Sequence, residues 1–571
     1  MPYRAPTDDY KFIFDHLVNL SRLTATDLYA EATPDVVDAI LGEAGKLCEE
    51  VLAPLQRAGD MQGAVLENGT VRTTPGFGAA YARIAEGGWI GMSAAPENGG
   101  MGLPMAVTTA VNEMMSAACL SLQLNPLMSQ GQIEALEHHA SDEIKALYLP
   151  RLISGEWCGT MNLTEPQAGS DVGALSSRAE PNGDGTYAIT GQKIFISWGD
   201  NDFTANVCHL VLARLPDAAP GTRGISLFMV PKYIPDAEGN PGVANSLKVV
   251  SLEHKMGLHG SPTCVMQYDR ATGWLVGEPH KGMAAMFTMM NNARLGVGVQ
   301  GIGVAEGAYQ HALAYALERR QGRAPVPGGT GTILDHADVR RMLTTMKAET
   351  FAARAIALAC AMTIDIARAT DDADCAARAA LLTPIAKAYG TDTGVEVASM
   401  GMQVHGGMGF IEESGAAQYL RDVRVTAIYE GTNGIQAMDL VGRKMMDGGE
   451  TAFRLCEEIE KAAKAARATL PDLAEDVWTA AETLREATEL LVAQDMNDRF
   501  AGAVPYLRAF ARVLGGHFHL QAALAEGGAG PRSALARFFI KRMLPEYAAA
   551  LAHAREGAEG LYALSPDDLA A

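Results

Sequence analysis

The chain reads as an α+β protein: a helical block, a β-rich middle, a second helical block and an appended helical unit. Three observations predict this order. Apolar residues recur at helical spacing through residues 35–150, and the period shortens to that of strands between about Gly159 and Gly277. Long helical patterns then return around Lys281 and continue to the end. No internal repeat or low-complexity tract interrupts the 571 residues, a length that accommodates several packed units.

In the first block Val36, Val37, Ile40 and Leu41, then Leu47, Val51 and Leu52, fall on one helical face, as do apolar positions from Ala106 to Leu147. Two turns break it, Glu67-Asn68-Gly69 and Pro96-Glu97-Asn98-Gly99-Gly100. The middle block carries short runs rich in β-branched and aromatic residues: Thr186–Thr190, Lys193–Ser197, His209–Ala213 and Ile225–Val230. Clusters of Gly, Asp, Asn and Pro separate them, which predicts a compact β-barrel or sandwich. The second helical block is broken at Arg323–Gly329 and at Gly448-Gly449. Beyond it, Val477, Ala481, Leu484, Ala487 and Leu491 form an apolar stripe.

Composition excludes several classes of function. The formal charge is −21, and nucleic-acid binding demands clustered Lys and Arg instead. The same excess of acid argues against adhesion to anionic lipid. No uninterrupted apolar run is long enough to span a bilayer, so no membrane association is expected. Eight cysteines are scattered without a C-x-x-C pair, so neither disulfides nor a metal site are expected. The N-terminal stretch MPYRAPTDDYKFIFDHL has early acids and no apolar core, so no secretory signal is expected and a reducing cytoplasm is the default.

Three segments suit chemistry and a fourth imitates a nucleotide-binding motif. RDVRVTAIYEGTNGIQ, residues 421–436, sets Glu430 between apolar Ile428-Tyr429 and Gly431-Thr432. An apolar setting disfavours the ionised carboxylate and makes it a stronger base. Gly431 permits close approach of a ligand to the backbone, and Thr432 or Asn433 can cap a following helix. The combination suits proton abstraction beside a carbonyl, and it also reads as a surface turn before a helix. LTEPQAGSD, residues 163–171, offers small residues and hydroxyls that suit a phosphate or a flat ring, or a plain structural turn. In GQKIFIS, residues 191–197, strand alternation puts Phe195 and Ser197 on one face, suited to a planar cofactor or to an ordinary core strand. The fourth, Gly296 to Gly301, satisfies G-x-G-x-x-G, but it follows a pattern that is already helical, so close helix packing is the better reading. His517 and His519 are two apart and do not share a helical face. His405 either touches a cofactor or satisfies a core hydrogen bond.

TEPQAGSD, GQKIFIS, the helix around Arg294, QVHGGMGF at 403–410 and AIYEGTNGIQ stand in the order and spacing of the acyl-CoA dehydrogenase family, which the chain resembles over about residues 35–440. The resemblance implies an N-terminal helical domain (35–158), a middle β domain (159–277) and a C-terminal four-helix domain (278–444). An N-terminal extension (1–34) and a helical C-terminal extension (445–571) resemble a long-form bacterial branch. It further implies an FAD enzyme that oxidises an acyl-CoA to the trans-2-enoyl-CoA and passes electrons to an electron-transfer flavoprotein. The expected substrate is 3-(methylsulfanyl)propanoyl-CoA, with short straight-chain acyl-CoA as runner-up. A rival reading of another class is a non-catalytic flavoprotein binding module. It would need a basic C-terminal face, which the net acidic sequence of 445–571 does not offer.

By the same resemblance Glu430 matches the base that removes the α-proton, and its backbone N–H matches a donor to the thioester carbonyl. Some branches place the base near Arg294, where this chain has Ala293, which favours Glu430. Thr164, Ser170 and Ser197 match positions near the flavin, and Leu163 contributes backbone. Met161 and Phe195 stand where many members carry an aromatic and a Trp. Arg319, Gln403 and Gly407 match positions that reach the FAD of a neighbouring subunit, which implies a homodimer. The segment Arg320–Arg323 departs from the family pattern just after Arg319. Thr432 and Gly434 match contacts to the adenine diphosphate, although Gly434 replaces the usual Gln. Asn291, Arg294 and Gly431, with Ser170, match neighbours of CoA or the thioester.

Overall fold

A computed structural model describes residues 3–571, apart from the side chain of Asn291. Its helices include α1 (Thr7–His16), α2 (Met105–His139), α3 (Gly282–Glu318), α4 (Ala337–Thr370), α5 (Ala373–His405), α6 (Asn433–Val441), α7 (Pro471–Ala493) and α8 (Ala503–Ala525). The chain forms two compact units. A bundle unit takes the residues up to Gly45, Pro104–Ala117 and Arg294–Ala571, and a barrel unit takes Lys46–Leu103 and Ala118–Ala293. Helices α2 and α3 each run from one unit into the other. In α2 the helical geometry breaks at Cys119 (φ −158°, ψ 87°), next to that passage.

In the barrel unit seven strands share one sheet: β1 (Trp157–Asn162), β2 (Arg178–Pro181), β3 (Tyr187–Ser197), β4 (Asn206–Arg214), β5 (Ile225–Pro231), β6 (Leu247–Leu252) and β7 (Thr263–Val276). The order is β6-β7-β3-β2-β4-β1, and β5 pairs with both β4 and β7, so β7, β3, β2, β4 and β5 close a ring. Closure leaves few unpaired backbone groups at the edges. Ile189, Val211, Phe228, Val230 and Tyr268 are buried together at its core. The two runs expected at Thr186–Thr190 and Lys193–Ser197 form one strand, β3. The sequence gives little sign of β7, because Asp269, Arg270 and Gly273 look like breakers. Gly273 is there for space, since a Cβ on it would lie 2.9 Å from the Val230 side chain. Within the first helical block Val65–Glu67 and Thr70–Arg72 pair as a hairpin about the expected Asn68-Gly69 turn. Both turn residues have positive φ (51° and 77°), the geometry that suits a tight hairpin.

The bundle unit is built on contact between α4 and α5, with α8 packed against α4. Helix α4 is long and apolar enough to cross a membrane by composition, and 83% of its apolar window is buried inside the protein, as in a core helix. Helices α3 and α5 cross at the glycines of the G-x-G-x-x-G run. A Cβ on Gly298 would sit 2.7 Å from the Ala386 carbonyl oxygen, and one on Gly394 2.7 Å from that of Gly301. The motif is a helix-packing seam.

Buried charge ties the extensions to this unit. Arg354 of α4 is 1% exposed and donates to Glu113 (2.8 Å), Glu306 (2.7 Å) and Asp9 of α1 (3.2 Å). Asp9 also accepts from Arg532 at 2.7 Å. On α8, Arg512 pairs with Glu349 of α4 and, at 2.9 Å, with Glu546. The stripe read from sequence is the buried face of α7: Val477, Ala481, Leu484, Ala487 and Leu491. His517 and His519 are buried on α8, where His519 hydrogen-bonds the Ala348 carbonyl at 3.1 Å.

Candidate active site

The two units present separate sets of functional residues. In the bundle unit the set centres on the loop before α6. Glu430 and Gly431 both adopt left-handed backbone, φ 55° and 82°. Glycine takes this conformation freely, whereas glutamate does so only when its surroundings enforce it. Gln436 donates through Nε2 to the carbonyls of Glu430 (3.1 Å) and Gly431 (3.4 Å), and Lys387 of α5 donates to the Gly431 carbonyl at 3.0 Å. Thr432 caps α6, its Oγ accepting from the Ile435 N–H at 3.3 Å. Asn433 locks the far side of the loop. It accepts from Lys387 at 2.9 Å and donates to Asp392 at 2.7 Å and to Thr391 at 3.0 Å.

Burial pushes the Glu430 carboxyl up to about 7, with Arg294 and then Lys387 pulling the other way. A carboxylate that titrates near neutrality is a far better proton acceptor than an ordinary surface one. Arg294 of α3 is 7% exposed, and its Nη1 lies 3.7 Å from Asp439 of α6. Tyr429 donates from its hydroxyl to Gln300 of α3, which fixes the residue before Glu430. The loop therefore has a strained carboxylate with raised proton affinity and a guanidinium whose charge acts on it.

The other predicted residues of this unit lie at the surface. Thr432 is exposed and Gly434 half-buried. Arg319, just past the end of α3, is exposed, as are Gln403 at the end of α5 and Gly407 after it. Those two helix ends are joined by rings. His405 stacks on Tyr315 (4.5 Å) and on His311 (4.8 Å), and its Nδ1 bonds the Gly401 carbonyl at 2.7 Å. His405 thus satisfies a core hydrogen bond and brings the 403–407 segment beside the last turns of α3. Asn291 is helical, and its side chain lies outside the described residues.

In the barrel unit the TEPQAGSD loop is clamped from beneath. Glu165, 3% exposed, accepts from Lys193 Nζ (2.8 Å), from the N–H and Oγ of Ser176 (2.7 and 2.8 Å) and from those of Ser177 (3.0 and 2.6 Å). Burial works to raise this carboxyl, and Lys193 with the serine donors outweighs it, holding it at about 2. Lys193 also donates to the Leu163 carbonyl at 3.0 Å, and the Ile194 N–H to that of Thr164 at 2.9 Å. The loop is thereby fastened to β3 next to Phe195.

Strand β3 bulges there. Four of its residues, Lys193 to Ile196, lie opposite three on β7, Cys264 to Met266. Phe195 takes φ 60° and is 60% exposed, while Ile196 is buried and Ser197 half-buried on the outward side. Bulges re-aim side chains. An aromatic ring held open on strained backbone is where a flat partner is expected to cover it. Met161 and Thr164 are half-buried and Ser170 exposed. This donor set, an open ring with hydroxyls on a clamped loop, fits one side of a flavin. Sequence reasoning overlooked Lys193, Glu165, Lys387 and Gln436. The only signal for the lysines is a cation placed in an otherwise buried strand or helix pattern.

Comparison with known proteins covers most of the chain. Models described as acyl-CoA dehydrogenase N-terminal, middle and C-terminal domains match residues 37–156, 160–271 and 280–446, and an acetyl-CoA dehydrogenase C-terminal-like model matches 455–565. The 3-methylmercaptopropionyl-CoA dehydrogenase of Ruegeria pomeroyi is 45% identical over 96% of this chain and 97% of that one. Among solved structures, Caenorhabditis elegans ACDH-11 superposes with a TM-score of 0.79 at 22% identity, over 95% of this chain and 92% of that one. An acyl-CoA dehydrogenase complexed with FAD from Bacillus anthracis gives 0.75 at 20% identity, over 92% and 88%. At these identities the two structures speak to the fold alone.

Proposed function

We propose, from the premise that this chain belongs to the acyl-CoA dehydrogenase family, that Glu430 is its catalytic base. The enzyme is an FAD-dependent oxidoreductase acting on an acyl-CoA. The observation that carries the assignment of the base is Glu430 itself, a carboxylate with a raised pKa on left-handed backbone that neighbouring donors enforce. Glu430 takes the proton from carbon two of the thioester, and its own amide N–H donates to the thioester carbonyl as charge develops there. Bound FAD would supply the acceptor for the hydride from carbon three, so that loss of both hydrogens leaves the trans-2 double bond. The Arg294 charge steadies the ionised base before transfer.

Thr164, Ser170, Phe195 and Ser197 would hold the flavin, with Met161 and the Leu163 backbone beside them. Thr432 and Gly434 would meet the adenine diphosphate, and Arg319, Gln403 and Gly407 the FAD of a second copy in a homodimer. Asn291, Arg294, Gly431 and Ser170 would line the thioester and CoA. The 45% identity over nearly the whole chain supports 3-(methylsulfanyl)propanoyl-CoA as substrate. We assign an electron-transfer flavoprotein as acceptor. The cytoplasm is the assigned compartment, on the strength of eight free cysteines, seven of them buried.

Anaerobic mixing with a panel of acyl-CoAs tests the reading. The wild type should bleach fastest with 3-(methylsulfanyl)propanoyl-CoA. Glu430→Gln should keep its yellow colour and CoA binding while losing bleaching by at least about 10²-fold. Normal bleaching by that variant would end the assignment of the base, and faster bleaching with butyryl-CoA would reassign the substrate. Light scattering should give the mass of two chains, and a tetramer would refute the dimer.

A further inference from the structure

We propose that Lys387 is a positioning residue of the proton-transfer site, its ammonium gripping the Gly431 carbonyl and the Asn433 side chain so that the left-handed Glu430–Gly431 pair is held in its working shape. The inference rests on Glu430 being the base. Lys387 is completely buried, and the two oxygens it bonds, at 3.0 and 2.9 Å, are neutral dipoles on either side of the base loop. A buried ammonium held by dipoles is costly to keep, so its retention calls for a role.

Its placement is rigid. The backbone at Ala386-Lys387 is the surface against which Gly298 of α3 packs, so α3 cannot approach without fixing where the lysine starts. Asn433, the second grip, is itself braced by Asp392, Thr391 and the Ala388 carbonyl. Lys387 and Gln436 together hold the Gly431 carbonyl, and Gln436 also holds that of Glu430, which leaves this peptide pair little freedom to relax toward right-handed backbone.

The ammonium also belongs to the charge set that faces the base. Arg294 acts on Glu430 from α3 and Lys387 from α5, and the Tyr429 ring adjoins it. Asp392 of α5 acts in turn on Lys387, and Asp439 of α6 and Arg443 on Arg294. Removing Lys387 therefore subtracts one of the two cations that favour ionised Glu430, and it frees the loop.

The test compares Lys387→Met and Lys387→Arg with the wild-type holoenzyme. The readouts are the pH profile of anaerobic flavin reduction, KM, and hydrogen exchange across residues 427–434. In Lys387→Met the limiting reduction rate at pH 7 should fall by about tenfold or more, with KM changed less than about twofold. Its apparent pKa should move upward, and exchange in the loop should quicken. Lys387→Arg should bring the pKa back toward wild type while the rate stays low, because a guanidinium restores charge without the same two-point grip. A Lys387→Met enzyme with full flavin and wild-type rate, pH profile and exchange overturns the proposal. If that variant does not hold flavin, a wild-type rate in Lys387→Arg overturns it instead. Glu430→Gln run alongside separates the two readings. Bleaching by that variant removes the base itself, whereas a dead Glu430→Gln with wild-type lysine variants removes only this role for Lys387.

Discussion

Glu430 occupies backbone space that glutamate avoids, and its carboxyl sits where water is scarce. Both features cost stability in the free enzyme and, on the proposed assignment, serve proton transfer. The cost is measurable. Because its folded pKa of about 7 lies above the ordinary 4.5, the native state holds this proton more tightly than the unfolded chain does. The stability so gained is fully present below about 4.5 and is lost as pH rises through about 7. Glu430→Gln should therefore be more stable than the wild type at pH 8, by roughly 1–3 kcal/mol with a correspondingly higher melting temperature, and about equally stable at pH 4.5. Asp365, also raised to about 7 by burial, titrates in both proteins and cancels from the comparison. Equal stability at pH 8 would show that the carboxylate is solvated. The identity of this residue is legible in AIYEGTNGIQ. Its left-handed backbone is not, because that depends on Gln436 and Lys387, six residues downstream and forty-three upstream. Phe195 repeats the lesson, since alternation puts it on one face with Ser197 without saying which way that face points, and only the bulge against β7 explains its exposed ring.

Among the elements, the seam of α3 against α5 decides whether the Glu430 loop has a floor. Small residues at 298, 301, 390 and 394 let the two backbones touch, and Lys387 and Gln300 project from that seam toward the loop. Gly301→Leu places a side chain against the Gly390 carbonyl, and no rotamer escapes a clash that begins at Cβ. It should cost about 3 kcal/mol, at the upper end for overpacking. The midpoint of urea unfolding should fall accordingly, and flavin bleaching should slow as the grip on Gly431 loosens. An unchanged midpoint would mean that the helices stand further apart than described. The pattern G-x-G-x-x-G is visible in the letters, and its helical context points to packing. Which helix meets it is decided by a contact some ninety residues away in sequence.

At the scale of the molecule, the two extensions are structural parts of the bundle unit. Tyr10, Ile13 and Phe14 of α1 are buried, and Asp9 joins Arg354 to Arg532, linking the first helix, the central helix and the appended unit. Deleting residues 1–16 removes three buried apolar side chains, about 5 kcal/mol at ordinary values for such groups, and withdraws a carboxylate from a buried arginine. The truncated chain should unfold at markedly lower urea and become sensitive to protease in 445–571. Wild-type resistance would show that the segment is a passive tail. By itself the sequence determined the α+β order, the barrel's shorter strands, the stripe of α7 and the residue types of the Glu430 loop, because periodicity and local turn chemistry act over a few neighbouring positions. Tertiary structure alone decided the closure of the ring through β7, the charge network around Arg354, the clamp beneath TEPQAGSD and the strained pose of Glu430. Each of these balances buried charge or backbone strain against partners far off along the chain, and such a balance exists only once the chain has folded.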